Sequence, residues 1–250
     1  MEKDRCIAAL LADSAALADA ARLGLDARVP SCPDWNVAEL VEHTGRVHRT
    51  MTRRVRDRET ARNPAATVPL PERSDLIPWF ETGVQTLADV LVAAPPDAEV
   101  WNWSVTPKLA SFWWRRMAQE TAVHRWDGQS AHGQQQPVDP DVAVDGIDEF
   151  LDVFLPTDLA ERPDTELGGT VALRCTDRAA SWLVTVTGGK LVARRGEEPT
   201  TADVPLATVA GTASDLLLLL WRRIEPAAPG IETGGDAALL ARFVALADLG

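Results

Sequence analysis

The sequence predicts a multi-domain α and α+β chain, a helical domain followed by a small α+β domain, and three observations carry that expectation. Its 250 residues exceed the roughly 100–150 that one ordinary domain uses. The first half repeats apolar residues at three- and four-residue steps, the period of an amphipathic helix, whereas the last third alternates apolar and polar residues in short runs, the period of a half-buried strand. The composition supplies a core for both: 46% of residues are hydrophobic and 25% charged, and Gly and Pro are near ordinary usage, which removes disordered and fibrous classes.

Four helices are expected in the first domain, at Lys3 to Leu23, Val37 to Arg58, Asp75 to Ala94 and Ala110 to Gln129. Asn36 with Glu39 three residues later has the form of a capping box, and Ser74 stands in a similar place before Asp75. The segment APPDAEVWNWSVTP between the third and fourth helices is too rich in proline to continue either, so an ordered loop is expected there. A fifth helix, Val142 to Phe154, follows a polar linker and closes a domain spanning residues 1–156. The second domain, 165–250, is expected to hold antiparallel strands at Thr170 to Cys175, Ser181 to Thr187, Lys190 to Arg195 and Val204 to Val209. Gly188-Gly189 is the hairpin turn between two of them. Thr212 with Asp215 opens a Leu-rich helix ending near Arg223, and a last helix runs from Asp236 to Leu246.

Charge narrows the function. With 25 Lys+Arg against 37 Asp+Glu the net charge is −12, which repels nucleic-acid phosphates and anionic lipid surfaces. No apolar run approaches the roughly 18 residues of a membrane span, and acidic residues interrupt the amino-terminal apolar stretch where a secretory signal would be uniform. A cytoplasmic protein without nucleic-acid or membrane partners is expected. The three cysteines, Cys6, Cys32 and Cys175, are widely spaced and form no CxxC pair, so reduced, packed thiols are expected. There is no GxGxxG before a helix, no GxxxxGK[ST], no GxSxG and no HExxH, so the glycine or nucleophile geometry of dinucleotide, triphosphate and serine-hydrolase sites is missing.

Any imidazole chemistry must draw on four histidines, at 43, 48, 124 and 132. At about 100° per residue, the second helix places His48 in the centre of a stripe with Leu40, Val41, Thr44, Val47, Met51 and Val55, and His43 on its flank. The fourth helix places Glu120 and His124 one turn apart on an inward stripe with Trp113, Trp114, Met117 and Thr121. A buried carboxylate protonates, pairs or coordinates a metal. Two imidazoles and one carboxylate match the three-ligand shell of an open zinc site, with Asp127 placed to take the other N–H of His124. The alternative is that Glu120 pairs with His48 or Arg116 and only ties the helices together. His43 and His132 are expected to be solvated or capping. The tryptophans at 101, 103, 113 and 114 are expected as core filler or as the wall of an apolar pocket, and the basic run Arg53, Arg54, Arg56, Arg58 as a solvated helix end.

The strings SCPDWNVAELVEHTGRVHR and ETAVHRWD resemble the mycothiol-dependent maleylpyruvate isomerase family. That resemblance implies a DinB-like four-helix bundle carrying a divalent metal, usually zinc, on His48, Glu120 and His124. VALRCTDRAASWLVTV and ADVPLATVAGTASDLLLLLWRR resemble the family's sterol-carrier-protein-like carboxyl-terminal domain. Where the family commonly has Leu-Trp-Gly-Arg, this chain has Leu-Trp-Arg-Arg, with Arg222 at the glycine and Arg223 at the arginine that reaches the substrate carboxylate. The resemblance further implies a low-molecular-weight thiol, mycothiol, as cofactor or co-substrate. Its thiolate would add to a conjugated double bond, allow rotation, and leave as the trans isomer forms. An isomerase or S-transferase acting on a small electrophile is thus expected, without a protein cysteine in the chemistry. The rival expectation is a non-catalytic, metal-containing protein that binds or responds to a small molecule. Hydrolysis with Glu120 as base conflicts with Glu120 as a ligand.

Overall fold

The structure is a computed structural model that describes residues 1–63, 68–196 and 204–248. The chain divides into two compact units, Met1–Trp103 with Pro107–Gln136, and Ser104–Thr106 with Pro137–Gly250. Among the described residues, no helix is long and apolar enough to cross a membrane.

The first unit holds four long helices: α1 (Lys3–Leu23), α2 (Val37–Arg56), α3 (Leu76–Ala93) and α4 (Ala110–Ser130). α1 lies against α3 and α4, and α2 against the same two. The capping box forms as expected: Asn36 Oδ1 accepts from Glu39 N–H at 3.0 Å, and Glu39 Oε2 accepts from Asn36 N–H at 2.7 Å. Ser74 does not cap α3, because a 3-10 turn, Arg73–Asp75, leads into the helix and makes Asp75 the boundary residue. Two glycines let α2 and α3 approach. A Cβ at Gly45 would stand 2.2 Å from the Trp79 ring, and one at Gly83 would stand 2.1 Å from the Arg49 guanidinium. Arg49 stacks over Trp79 at 3.8 Å, which fills the same seam.

The loop before α4 is ordered by its own backbone. Val100 N–H donates to Lys108 O at 2.9 Å, and Ala110 N–H donates to Ala98 O at 2.9 Å. Trp113 of α4 is 2% exposed and its Nε1 donates to the loop's Trp101 O at 3.1 Å, whereas Trp103 of the loop is 36% exposed. The basic run is only partly a solvated end, since Arg54 is buried over Trp101 and pairs with Glu59 at 3.7 Å.

The helix expected to close the first domain belongs to the second unit. It comprises α5 (Pro140–Glu149), one π-helical turn (Phe150–Phe154) and α6 (Leu155–Ala160), and α5 packs on α7 (Ala213–Leu220). Among the described residues five strands follow: β1 (Val171–Cys175), β2 (Ser181–Thr187), β3 (Lys190–Arg195), β4 (Ala207–Gly211) and β5 (Glu232–Gly235), with α8 (Ala237–Val244) after β5. They form one sheet in the order β3-β2-β1-β4-β5. Gly188 and Gly189, both at positive φ, make the β2–β3 hairpin turn. The expectation of an antiparallel sheet fails at its centre, where β1 and β4 pair in parallel, Val171 opposite Ala207 through Cys175 opposite Gly211. Val171, Leu173, Trp182, Val184, Val186 and Val209 are buried, and α7 and α8 lie against β1 and β4. Thr212 caps α7 by accepting from Asp215 N–H at 3.1 Å. Cys6 and Cys175 are buried, and none of the three cysteines is in a disulfide.

Candidate metal centre

The cluster is built from two helices and the loop that enters one of them. α4 presents Glu120 and His124 one turn apart, and α2 presents His43 two turns after its cap. Glu120 Oε1 lies 3.4 Å from His43 Nε2 and 3.3 Å from His124 Nε2. One ligand atom from each residue can be chosen so that all three lie within 4.8 Å of one another. A tetrahedral ion with bonds of about 2.0–2.1 Å places neighbouring donors about 3.4 Å apart, so two of the three edges already have the right length.

Charge is balanced locally. Arg116 Nη2 lies 3.1 Å from Glu120 Oε2, leaving Oε1 toward the imidazoles. Burial opposes the charge on Glu120, but the hydrogen bonds and charges of His124, then His43 and Arg116, win and hold it well below the usual carboxylate range. Burial likewise opposes protonation of His124, and is outweighed by Asp127 and Glu120, which push it up to about 9. Asp127, fully buried, takes His124 Nδ1 at 3.0 Å, as the sequence suggested for it. The Nε2 edge of His124 therefore faces Glu120 and His43. Trp35 walls the cluster, its ring centroid 4.8 Å from that of His43 and 6.3 Å from that of His124. A groove of about 400 Å³ runs beside α2 past Trp35, Glu42, His43, Arg46 and Thr50, so the cluster opens on the His43 side. A larger cavity, about 680 Å³, follows β1, β2 and β4 of the second unit and contains none of these residues.

The structure brings His43, not His48, to Glu120 and His124. The two histidines are five residues apart, about 140° around the helix, so one point cannot receive both. His48 occupies the centre of the apolar stripe, and that centre faces the core. Its side chain is fully buried, stacks on Phe80 of α3 at 5.6 Å, and places Nε2 2.9 Å from Thr121 Oγ1. Burial drives its pKa down to about 3 against the opposing charge of Glu120, so the ring is neutral. The signal available in the sequence was the flank position of His43, which sets it at the edge of the apolar face, where a side chain is only partly buried. Trp35 carries no signal of its own, since it belongs to no periodic segment. His132 lies beyond the end of α4.

Arg223 belongs to the second unit, at the end of α7. Its N–H donates to Leu218 O at 2.8 Å, and the Arg222 N–H donates to Leu219 O at 2.9 Å, which together form a Schellman cap. Arg222, in the place where glycine is common, has φ +55° and donates its guanidinium to Ala247 O at 2.6 Å. Arg223 Nη1 turns back to Trp221 O at 2.9 Å.

Residues 4–128 match the Mycothiol maleylpyruvate isomerase N-terminal domain, and residues 141–242 match the MDMPI C-terminal domain. Two crystal structures share the fold over 95% of this chain and 95% of theirs. One is titled as the mycothiol-dependent maleylpyruvate isomerase, with 13% identity and TM-score 0.58, and the other as a histidine-to-alanine mutant of the mycothiol-dependent maleylpyruvate isomerase, with 12% identity and TM-score 0.59. No curated protein sequence matches the chain. The two family domains, covering most of the sequence in the order that the two structural units occur, place the chain in the mycothiol maleylpyruvate isomerase family.

Proposed function

We propose that this protein is a metal-dependent enzyme that uses a low-molecular-weight thiol, mycothiol, to isomerise a small electrophilic acid or to transfer sulfur to it. The observation that carries this reading is the convergence of His43, Glu120 and His124 in a member of this family. Two imidazoles and a carboxylate suit zinc and leave a fourth position for an exogenous donor. A divalent cation held there would lower the pKa of a bound thiol and so supply a thiolate at neutral pH. The chain's own residues do the rest. Asp127 keeps the His124 proton on Nδ1, Arg116 adds to the groups that hold Glu120 ionised, and Trp35 shields one side of the imidazoles from water. Cys175, pushed up to about 11 by burial and the Asp177 charge, is no nucleophile at neutral pH, in keeping with an exogenous thiol. Arg223 is the proposed contact for a substrate carboxylate, with Arg222 serving the helix cap.

Elemental analysis of the purified protein, compared with Glu120→Ala and His43→Ala, tests the site. About one metal per chain, lost in both variants, is expected. Cobalt-substituted protein should then change its visible spectrum on addition of mycothiol, and the mixture should isomerise maleylpyruvate or a related unsaturated acid. Arg223→Ala should lower that turnover while keeping the metal. A wild type that cannot be loaded with metal would overturn the reading.

A further inference from the structure

The histidines of the cluster come from different helices, and one loop touches the support of both. Residues 28–36 are stitched to themselves and to the start of α2. Arg28 pairs with Asn36 as an antiparallel bridge, Val29 N–H donates to Trp35 O at 3.0 Å, and Trp35 N–H donates to Cys32 O at 2.8 Å. Val29 is fully buried and the α2 capping box begins at Asn36, so the loop is anchored at both ends. Two of its side chains reach the cluster. Ser31 Oγ donates to Asp127 Oδ1 at 2.5 Å, while the other oxygen of the same carboxylate engages His124 Nδ1 at 3.0 Å. The Trp35 ring lies against His43 and His124, tilted 41° and 43° to them.

We infer that this loop is a clamp that orients both imidazoles, with Ser31 and Trp35 as positioning residues. A carboxylate can turn about its Cβ–Cγ bond, and a turn would take Oδ2 off the line of the His124 N–H. A hydroxyl on Oδ1 resists that turn and so keeps the Nε2 lone pair of His124 aimed at the point it shares with His43 and Glu120. Trp35, whose ring lies against His43, blocks rotation of the His43 ring. The clamp rests on the metal reading above, because orientation of Nε2 matters only if Nε2 is a ligand.

The test compares wild type with Ser31→Ala and Ser31→Thr. Cobalt affinity and the cobalt absorption spectrum are read on the loaded protein, and thermal midpoint and exchange of the His124 Nδ1 proton by nitrogen-15 NMR on chelator-treated protein. Ser31→Ala should bind cobalt about tenfold or more weakly, as loss of support for a ligand commonly does. It should also shift the spectrum and speed exchange of the Nδ1 proton, with the midpoint lowered by no more than the one lost hydrogen bond requires. Ser31→Thr keeps the hydroxyl and should restore all three, and Trp35→Leu should weaken cobalt binding in the same direction. The clamp is overturned if Ser31→Ala matches wild type in affinity, spectrum and exchange. It is equally overturned if the loss comes with a lowered midpoint that Ser31→Thr does not restore, because that is a folding effect. A wild type that takes up no cobalt refutes the metal reading instead, and the NMR exchange data separate that case from a loop that does not hold Asp127.

Discussion

Replacing His48 with leucine should remove a pH dependence of stability whose size follows from its burial. Burial, opposed by the charge of Glu120, lowers its pKa from 6.5 to about 3, so the folded protein resists a proton that the unfolded chain accepts. Stability is therefore full above pH 6.5 and declines as the pH falls toward 3. At 1.36 kcal/mol per pH unit the whole effect approaches about 5 kcal/mol below pH 3, and about 2 kcal/mol is already lost at pH 5. At pH 7, His48→Leu should be the less stable protein by about 1 kcal/mol, because Thr121 Oγ1 loses its partner at 2.9 Å. Between pH 7 and pH 5 wild type should lose about 2 kcal/mol relative to the variant, so the order of stability reverses. The assay is urea unfolding of chelator-treated protein at the two pH values, followed by far-ultraviolet circular dichroism. A difference between wild type and variant that is the same at both pH values would refute the reasoning, since it would mean that His48 is protonated or solvated in the folded state.

Metal content should separate the two histidines of α2: His43→Ala should lose the ion, and His48→Leu should keep it, as inductively coupled plasma analysis of the purified variants would show. Arg222→Gly should relieve the left-handed backbone at φ +55° but forfeit the bond to Ala247 O, for a net gain of up to about 1 kcal/mol. Arg222→Ala keeps the strain and loses the bond, so it should cost about 1 kcal/mol, and thermal unfolding distinguishes the pair. Gly45→Ala should destabilise the protein by about 1–3 kcal/mol, because the new methyl group would overlap Trp79 at 2.2 Å and push apart the seam of α2 and α3. Thermal unfolding checks this too.

Local order was legible in the chain. The three- and four-residue period placed α1, α2 and α4 nearly to their ends, the Asn36 and Glu39 pair announced the start of α2, and Thr212 announced α7. The spacing of Glu120 and His124 put both on one face of α4, and Asp127 followed one turn further on. These depend on residues a few positions apart, which helix geometry alone relates. Pairing between distant segments was not legible. The parallel contact of β1 with β4 joins residues far apart in the chain, and β5, Glu232–Gly235, is exposed at all four residues and lacks the apolar alternation that marks a strand. The same limit governs the site. A helical wheel shows which face of α2 is apolar, and His48 lies at its centre, but it does not show which neighbour each edge of that face meets. Tertiary packing turned the centre toward Phe80 and Thr121 and the flank toward Glu120 and His124. A core position buries a neutral ring, whereas a site that must admit a ligand needs a partly exposed one. The sequence by itself therefore determined that a carboxylate and three imidazoles were available on α2 and α4, and the packing of those helices brought His43 to the carboxylate in place of the expected His48.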